Sequence, residues 1–176
     1  IPGTKHERYL ADVRWTGILQ ARLGKEYEII EEGLNSRGIV NGDGRPGKEQ
    51  RSATEYVFAC LDSHDPLDHV VICLGTNELK AGLGLSAEQV GENFRTLVQA
   101  IQSRPSQFRA TVPHVTIVVP AAIDESTEYA RKDDKFVGAR EKSIQLRGVL
   151  ANIANECGCS LVDIQDQLQT GEDGIH

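Results

Sequence analysis

The apolar residues of this chain follow two kinds of pattern. Short, almost continuous apolar runs rich in β-branched residues are typical of strands buried on both faces of a parallel sheet. The predicted strands lie at residues 28–31, 68–74, 115–120 and 160–164. Between these runs the apolar residues recur every three to four positions, which predicts amphipathic helices.

Four helices are predicted from the second pattern, each with one apolar stripe. The third begins at Ser86, and Gln89 three residues later completes a capping-box pattern. The first and the fourth end at Gly24 and Gly158, residues suited to the end of a helix. The predicted helices lie at about residues 15–23, 52–63, 86–101 and 146–157.

The alternation of helix and strand predicts an α/β fold, a three-layer α/β/α sandwich around a parallel, flavodoxin-like sheet. The order begins with a helix, whereas such a sheet begins with its central strand, so we expect the first strand to be missing. The chain contains no methionine, starts at Ile1 and stops at His176 without a closing helix. The prediction is a single domain over residues 1–176 that is incomplete at both ends.

Composition narrows the classes of partner. A net charge of −7 argues against a nucleic-acid groove, because a phosphate backbone binds clustered lysines and arginines. The longest apolar run, residues 70–74, is too short to span a bilayer. The four cysteines fit a reducing compartment, so we expect a cytoplasmic protein, with secretion left open by the missing amino terminus. Homo-oligomer formation is also left open, and the charged stretch 124–135 is either a lid, a partner surface or a solvated connection.

Polar residues follow two of the predicted strands, at the edge where parallel sheets bind ligands. Asn77 comes after Gly75 and offers an amide that can hold an oxyanion, although an asparagine that stabilises a turn would look the same. Asp173 precedes His176 by three residues, so its carboxylate can reach Nδ1 and leave Nε2 as a general base. The plain alternative is a turn followed by a surface histidine.

A glycine follows the predicted strand at residues 28–31. The backbone N–H of Gly33 can point into the crevice and serve as a second oxyanion donor. The structural alternative is a glycine needed only for the turn.

In this order, these residues resemble the motif blocks of the SGNH, or GDSL, hydrolase family. Gly33 matches the family's glycine block, Gly75 and Asn77 match its Gly-x-Asn block, and Asp173 and His176 match its Asp-x-x-His block. Residues 12–17, Asp-Val-Arg-Trp-Thr-Gly, and residues 31–34, Glu-Glu-Gly-Leu, are similar to the branch that contains arylesterases and acyltransferases.

The chain departs from the family pattern in three places. No Gly-Asp-Ser occurs in it, and the resemblance places the nucleophilic serine a few residues before Ile1. Glu78 stands where the family often has aspartate, and Glu32 stands where many members have asparagine. Ser36 and Ser126 lie in predicted loops without the strand-to-helix elbow of an activated serine.

The resemblance implies a serine-dependent carboxylic ester hydrolase that works through an acyl-enzyme and can also transfer the acyl group to an alcohol. Asp173 and His176 would be catalytic, and Gly33 and Asn77 would form the oxyanion hole. The expected substrate is a small-molecule ester, with neither a metal nor an organic cofactor. The alternative is a catalytically inactive ligand-binding module with the same fold.

Overall fold

The computed structural model describes residues 8–40 and 46–176. The chain divides into two compact units, one over Ile1–Asn35 and one over Ser36–His176. Among the described residues, no helix combines the length and the apolar character needed to cross a membrane.

The amino-terminal unit contains helix α1, Trp15–Leu23, followed by a 3₁₀ turn at Gly24–Glu26. The carboxylate of Glu31 joins several parts of this unit, because it accepts hydrogen bonds from Arg8 at 2.9 Å and from the Thr16 hydroxyl. Arg14 lies 3.1 Å from the same carboxylate.

Residues 28–31 do not form the predicted strand. The backbone N–H of Ile29 donates to the Gln20 side chain at 2.8 Å, and the amide of Gln20 donates to the carbonyl of Tyr27 at 2.8 Å. An apolar run becomes a strand only when a neighbouring strand satisfies its backbone groups. Here a glutamine side chain satisfies part of the backbone, so this prediction was wrong.

The larger unit is built on a parallel three-stranded sheet of order β1-β2-β3. Its strands align Val70 with Val115 and Thr116 with Ser160. They correspond to three of the four predicted strands and confirm the α/β class with a parallel sheet. The strands are β1, His69–Ile72; β2, His114–Val118; and β3, Ser160–Val162.

Among the described residues of this unit the α-helices are α2, Ala53–Ser63; α3, Ala87–Gln102; α4, Glu128–Arg131; and α5, Ala139–Glu156. The predicted capping box is present at the start of α3, where Gln89 N–H donates to the Ser86 hydroxyl and Ser86 N–H donates to the Gln89 side chain. These two bonds satisfy backbone donors that the first helical turn leaves without a partner.

Helices α3 and α5 pack closely because α3 carries a glycine where α5 approaches. A Cβ added to Gly91 would lie 2.3 Å from Val149 Cγ1 and 2.9 Å from Ile153 Cδ1. Around this contact the helices bury apolar side chains that form much of the core. On α3 and α5 these are Val90, Phe94, Leu97, Val98, Ile101, Leu146, Leu150 and Ile153.

Two glycine-to-alanine substitutions test this packing. Gly91→Ala should lower the free energy of unfolding by about 1–3 kcal/mol, because the added methyl overpacks the interface. Gly148→Ala, on α5, should raise it by about 0.5–1 kcal/mol, because a Cβ there would meet nothing within 4 Å and alanine is the better helix former. Urea unfolding of both variants measures the difference. Equal stabilisation by both would refute the close contact.

Candidate active site

The chain leaves β1 through a turn that only glycine fits well. Gly75 has a φ of 109°, in the region that favours glycine. A Cβ there would lie 3.2 Å from the Phe94 ring and 3.4 Å from Pro120 Cγ. Glu78 N–H then donates to the Gly75 carbonyl at 3.0 Å, which closes the 3₁₀ turn Thr76–Leu79. This turn carries Asn77.

One N–H of the Asn77 side-chain amide is hydrogen-bonded within the protein. Nδ2 donates to the carbonyl of Arg37 at 3.0 Å. A primary amide has two N–H donors, and the second finds no acceptor among the residues at 8–40 and 46–176. Asn77 is therefore held by one hydrogen bond and keeps a donor for another molecule.

Asp173 and His176 form a direct pair. Asp173 Oδ2 lies 2.6 Å from His176 Nδ1, and Oδ1 accepts the backbone N–H groups of Ile175 at 3.0 Å and His176 at 2.9 Å. Burial acts to raise the pKa of Asp173, but these hydrogen bonds outweigh it and the pKa lies below its ordinary value. The carboxylate is thus kept ionised while only 5% exposed.

The two members of the pair differ in their access to solvent. The side chain of His176 is 67% exposed, whereas that of Asp173 is 5% exposed. A carboxylate on Nδ1 selects the tautomer with the proton on that nitrogen. Nε2 then keeps its lone pair and can accept a proton.

The loop that carries the pair is fastened to the segment after β2. The Asp124 N–H donates to the Gly174 carbonyl at 2.8 Å, and the Thr127 hydroxyl donates to the Asp173 carbonyl at 3.0 Å. A Cβ on Gly174 would lie 2.3 Å from the Asp124 carbonyl oxygen and 2.5 Å from Thr127 Oγ1. Only glycine permits so close an approach, so Asp-Gly is more than a turn signal here.

These polar groups follow strands that all run in one direction. Asn77 comes after β1, Asp124 and Thr127 come after β2, and Asp173 comes after β3. Carboxyl ends of parallel strands share one edge of a sheet, the usual position of ligand sites in such folds. We therefore expect this edge to present an amide donor and a carboxylate-supported imidazole.

The family model of the GDSL-like lipase/acylhydrolase family matches residues 3–176. The chain belongs to this family. The resemblance to SGNH hydrolases is thereby confirmed, and at the level of the family the protein is an ester hydrolase.

Solved structures agree with this assignment. The native aryl esterase of M. smegmatis is 32% identical with a TM-score of 0.88, and the match covers 99% of this chain and 81% of that one. A carbohydrate acetylesterase from Sinorhizobium meliloti is 31% identical with a TM-score of 0.89, covering 98% of this chain and 80% of that one. No curated protein sequence matches the chain.

Gly33, assigned to the family's glycine block, belongs to the amino-terminal unit. A Cβ at this position would meet nothing within 4 Å, and its φ is not among the positive values of the chain. Local sterics therefore do not explain the glycine, and its role as an oxyanion donor stays a prediction.

Ser126 does not have the surroundings of an activated nucleophile. Its backbone N–H donates to the carboxylate of Asp124 at 2.9 Å, and hydrogen bonding from Ser126 holds the pKa of that group below its ordinary value. Ser126 lies in the turn before α4 and, among the described residues, makes no hydrogen bond with the imidazole of His176. Ser36 has a φ of 64°, in the region that favours glycine, and lies in a turn rather than between a strand and a helix.

Sequence patterns did not reveal two residues that support the site. Thr127 lies in a charged stretch where no periodicity singles it out. Its hydroxyl donates to the Asp173 carbonyl and also accepts the Ala130 N–H at the start of α4. The resemblance gives Glu78 no role beyond that of a variant of the family's aspartate, yet this residue is 2% exposed beside Asn77. The sequence signal that could have revealed the buried position of Glu78 is its place between Asn77 and the apolar Leu79.

Thr127→Val should loosen the loop that carries Asp173, because valine keeps the shape but cannot donate to the carbonyl. We expect hydrogen exchange of the Ile175 and His176 amides to accelerate by about fivefold, the effect of losing roughly 1 kcal/mol of hydrogen bonding. Thr127→Ser should retain slow exchange.

The matched control is Thr96→Val, which removes a hydroxyl bonded to the Glu92 carbonyl within α3. It should leave the exchange of those two amides unchanged. Equal exchange in Thr127→Val and in the unmodified chain would remove Thr127 from the site.

Proposed function

We propose that this domain hydrolyses carboxylic esters through a serine nucleophile, with His176 as general base and Asp173 as its orienting carboxylate. The observation that carries the proposal is the 2.6 Å contact between Asp173 Oδ2 and His176 Nδ1, on a histidine whose side chain is 67% exposed. No Gly-Asp-Ser occurs in the 176 residues, so the nucleophile is assigned to a serine outside them.

The first half-reaction is acyl transfer to the serine. The serine oxygen attacks the ester carbonyl while His176 Nε2 takes its proton, and Asp173 stabilises the imidazolium that forms. The tetrahedral intermediate carries a negative oxygen, which the free N–H of the Asn77 amide and the N–H of Gly33 stabilise. Collapse of the intermediate expels the alcohol, which receives the proton from Nε2.

In the second half-reaction a water molecule repeats the sequence on the acyl-enzyme. His176 takes a proton from the attacking water. When the second tetrahedral intermediate collapses, the acid is released and the serine oxygen receives that proton from Nε2. An alcohol that replaces the water receives the acyl group instead, and the protein then acts as an acyltransferase. The same base and the same oxyanion donors serve both outcomes.

The substrate class follows from the relatives. Two similar proteins are an aryl esterase and a carbohydrate acetylesterase. We therefore infer that this protein hydrolyses esters that join a small acyl group to an aryl or a sugar hydroxyl. A short-chain aryl ester and an acetylated sugar are the assay substrates that follow from this inference.

The first test concerns the nucleophile. We expect the 176-residue polypeptide to resist a fluorophosphonate label and to leave a short-chain aryl ester unhydrolysed. A longer polypeptide that supplies a strand with Gly-Asp-Ser should be labelled and should hydrolyse the ester. Full activity of the 176 residues would assign the nucleophile to one of their own serines, whereas an inert extended protein would favour the ligand-binding module.

The second test concerns the roles in the extended protein. His176→Ala should lower kcat by roughly 10⁴ to 10⁶ and Asp173→Asn by about 10⁴, as in other serine triads. Asn77→Ala should cost roughly 10² to 10³, the loss typical of one oxyanion donor.

Two matched substitutions serve as controls for the kinetics. His114 lies at the amino end of β2, and Asn152 is exposed on α5. Neither His114→Gln nor Asn152→Ala should therefore change kcat by more than about threefold. Loss of activity in either control equal to that of its counterpart would contradict the assigned roles.

A further inference from the structure

Glu78 is a buried carboxyl that the reaction does not use. It directly follows Asn77 in the 3₁₀ turn after β1 and is only 2% exposed. Burying an ionisable group is costly unless it is hydrogen-bonded or neutral. The position of a buried carboxyl beside Asn77 therefore requires a structural explanation.

The two carboxyl oxygens of Glu78 differ in their hydrogen bonding. Oε1 accepts the backbone N–H of Ile39 at 2.5 Å, and Oε2 has no partner among the described residues. Burial raises the pKa of Glu78, and hydrogen bonds from the N–H of Ile39 and from its own N–H oppose that rise only in part. The side chain therefore acts mainly as an acceptor for one backbone group.

Asn77 and Glu78 hold the same short segment. The amide of Asn77 donates to the carbonyl of Arg37 at 3.0 Å, and two residues later the N–H of Ile39 donates to Glu78. Neighbouring side chains thus bind a carbonyl and an N–H of one piece of backbone. A movement of Ile39 would carry the Arg37 carbonyl with it.

The other side of the segment is fixed to the start of α2. Ala53 N–H donates to the Gly38 carbonyl at 2.9 Å, and Thr54 N–H donates to the Ile39 carbonyl at 2.9 Å. The Thr54 hydroxyl also donates to the Ile39 carbonyl, at 2.7 Å. These bonds use the helix N–H groups that lack intrahelical partners, so the segment is anchored to a rigid element.

We propose that Glu78 is a positioning residue for Asn77, because it fixes the Arg37–Ile39 backbone on which the Asn77 amide is anchored. The anchored N–H fixes the plane of the amide, and the plane fixes the direction of the second N–H. Preorganised donors stabilise an oxyanion best because they need no reorganisation during the reaction. This inference rests on the proposed role of Asn77 as an oxyanion donor.

The first experiment needs no catalysis. The side-chain amide signals of Asn77 are followed by NMR in the 176-residue chain and in its variants. Glu78→Met removes the acceptor at similar volume and should shift the two Nδ2 proton signals and accelerate their exchange. Glu78→Gln keeps a carbonyl oxygen for Ile39 and should leave the signals nearly unchanged.

The second experiment uses kinetics in the serine-containing protein. Glu78→Met should lower kcat by about 10²-fold with little change in KM, the pattern of a misplaced oxyanion donor. The double variant with Asn77→Ala should be no slower than Asn77→Ala alone, because residues acting through one group are not additive. Glu88→Met, an exposed residue on α3, is the matched control and should be neutral.

The outcomes separate the two proposals. A Glu78→Met protein with unchanged Asn77 signals and unchanged kcat would overturn the positioning role, as would additive losses in the double variant. Shifted Asn77 signals together with an inactive extended protein would support the positioning role and refute the proposed function. If Glu78→Met does not fold, Glu78→Asp, shorter by one methylene, should shift the same signals, and its failure to do so would count against the inference.

Discussion

Asp173 keeps a negative charge almost wholly out of water, and the geometry of the site depends on how that charge is stabilised. Three N–H groups surround the carboxylate, from His176 Nδ1 and from the backbone of Ile175 and His176. Without them a buried carboxylate would take up a proton, and a neutral acid would support the imidazolium of His176 less well. The same bonds that stabilise the charge also aim the imidazole.

That arrangement requires a rigid loop, and the rigidity comes from elsewhere in the chain. The backbone of Asp173 and Gly174 is bonded to Thr127 and Asp124, which follow a different strand. Ile175 anchors the same loop in the core, where it is 4% exposed. Because all strands of the sheet are parallel, loops after neighbouring strands meet at one edge and can fix each other.

The sequence predicted elements wherever local chemistry decides the structure. The Ser86–Gln89 capping box acts through neighbours in the chain and is present as predicted. The β-branched runs at β1, β2 and β3 are also strands as predicted, because each has a parallel neighbour that satisfies its backbone. Residues 28–31 failed because an apolar run does not specify which groups will satisfy its backbone, and Gln20 satisfied part of it. The spacing of Asp173 and His176 was informative because three residues suffice for the contact. The roles of Thr127 and Glu78 were not predictable, since they depend on backbone groups 46 and 39 residues away.

The central claim is that Asp173 selects the tautomer of His176 that leaves Nε2 as the base. A long-range ¹H–¹⁵N NMR spectrum of the neutral ring reports directly which nitrogen carries the proton. The account predicts a proton on Nδ1 and an unprotonated Nε2, with the preference lost in Asp173→Ala. A ring protonated on Nε2, or a tautomer ratio that does not respond to Asp173→Ala, would contradict it.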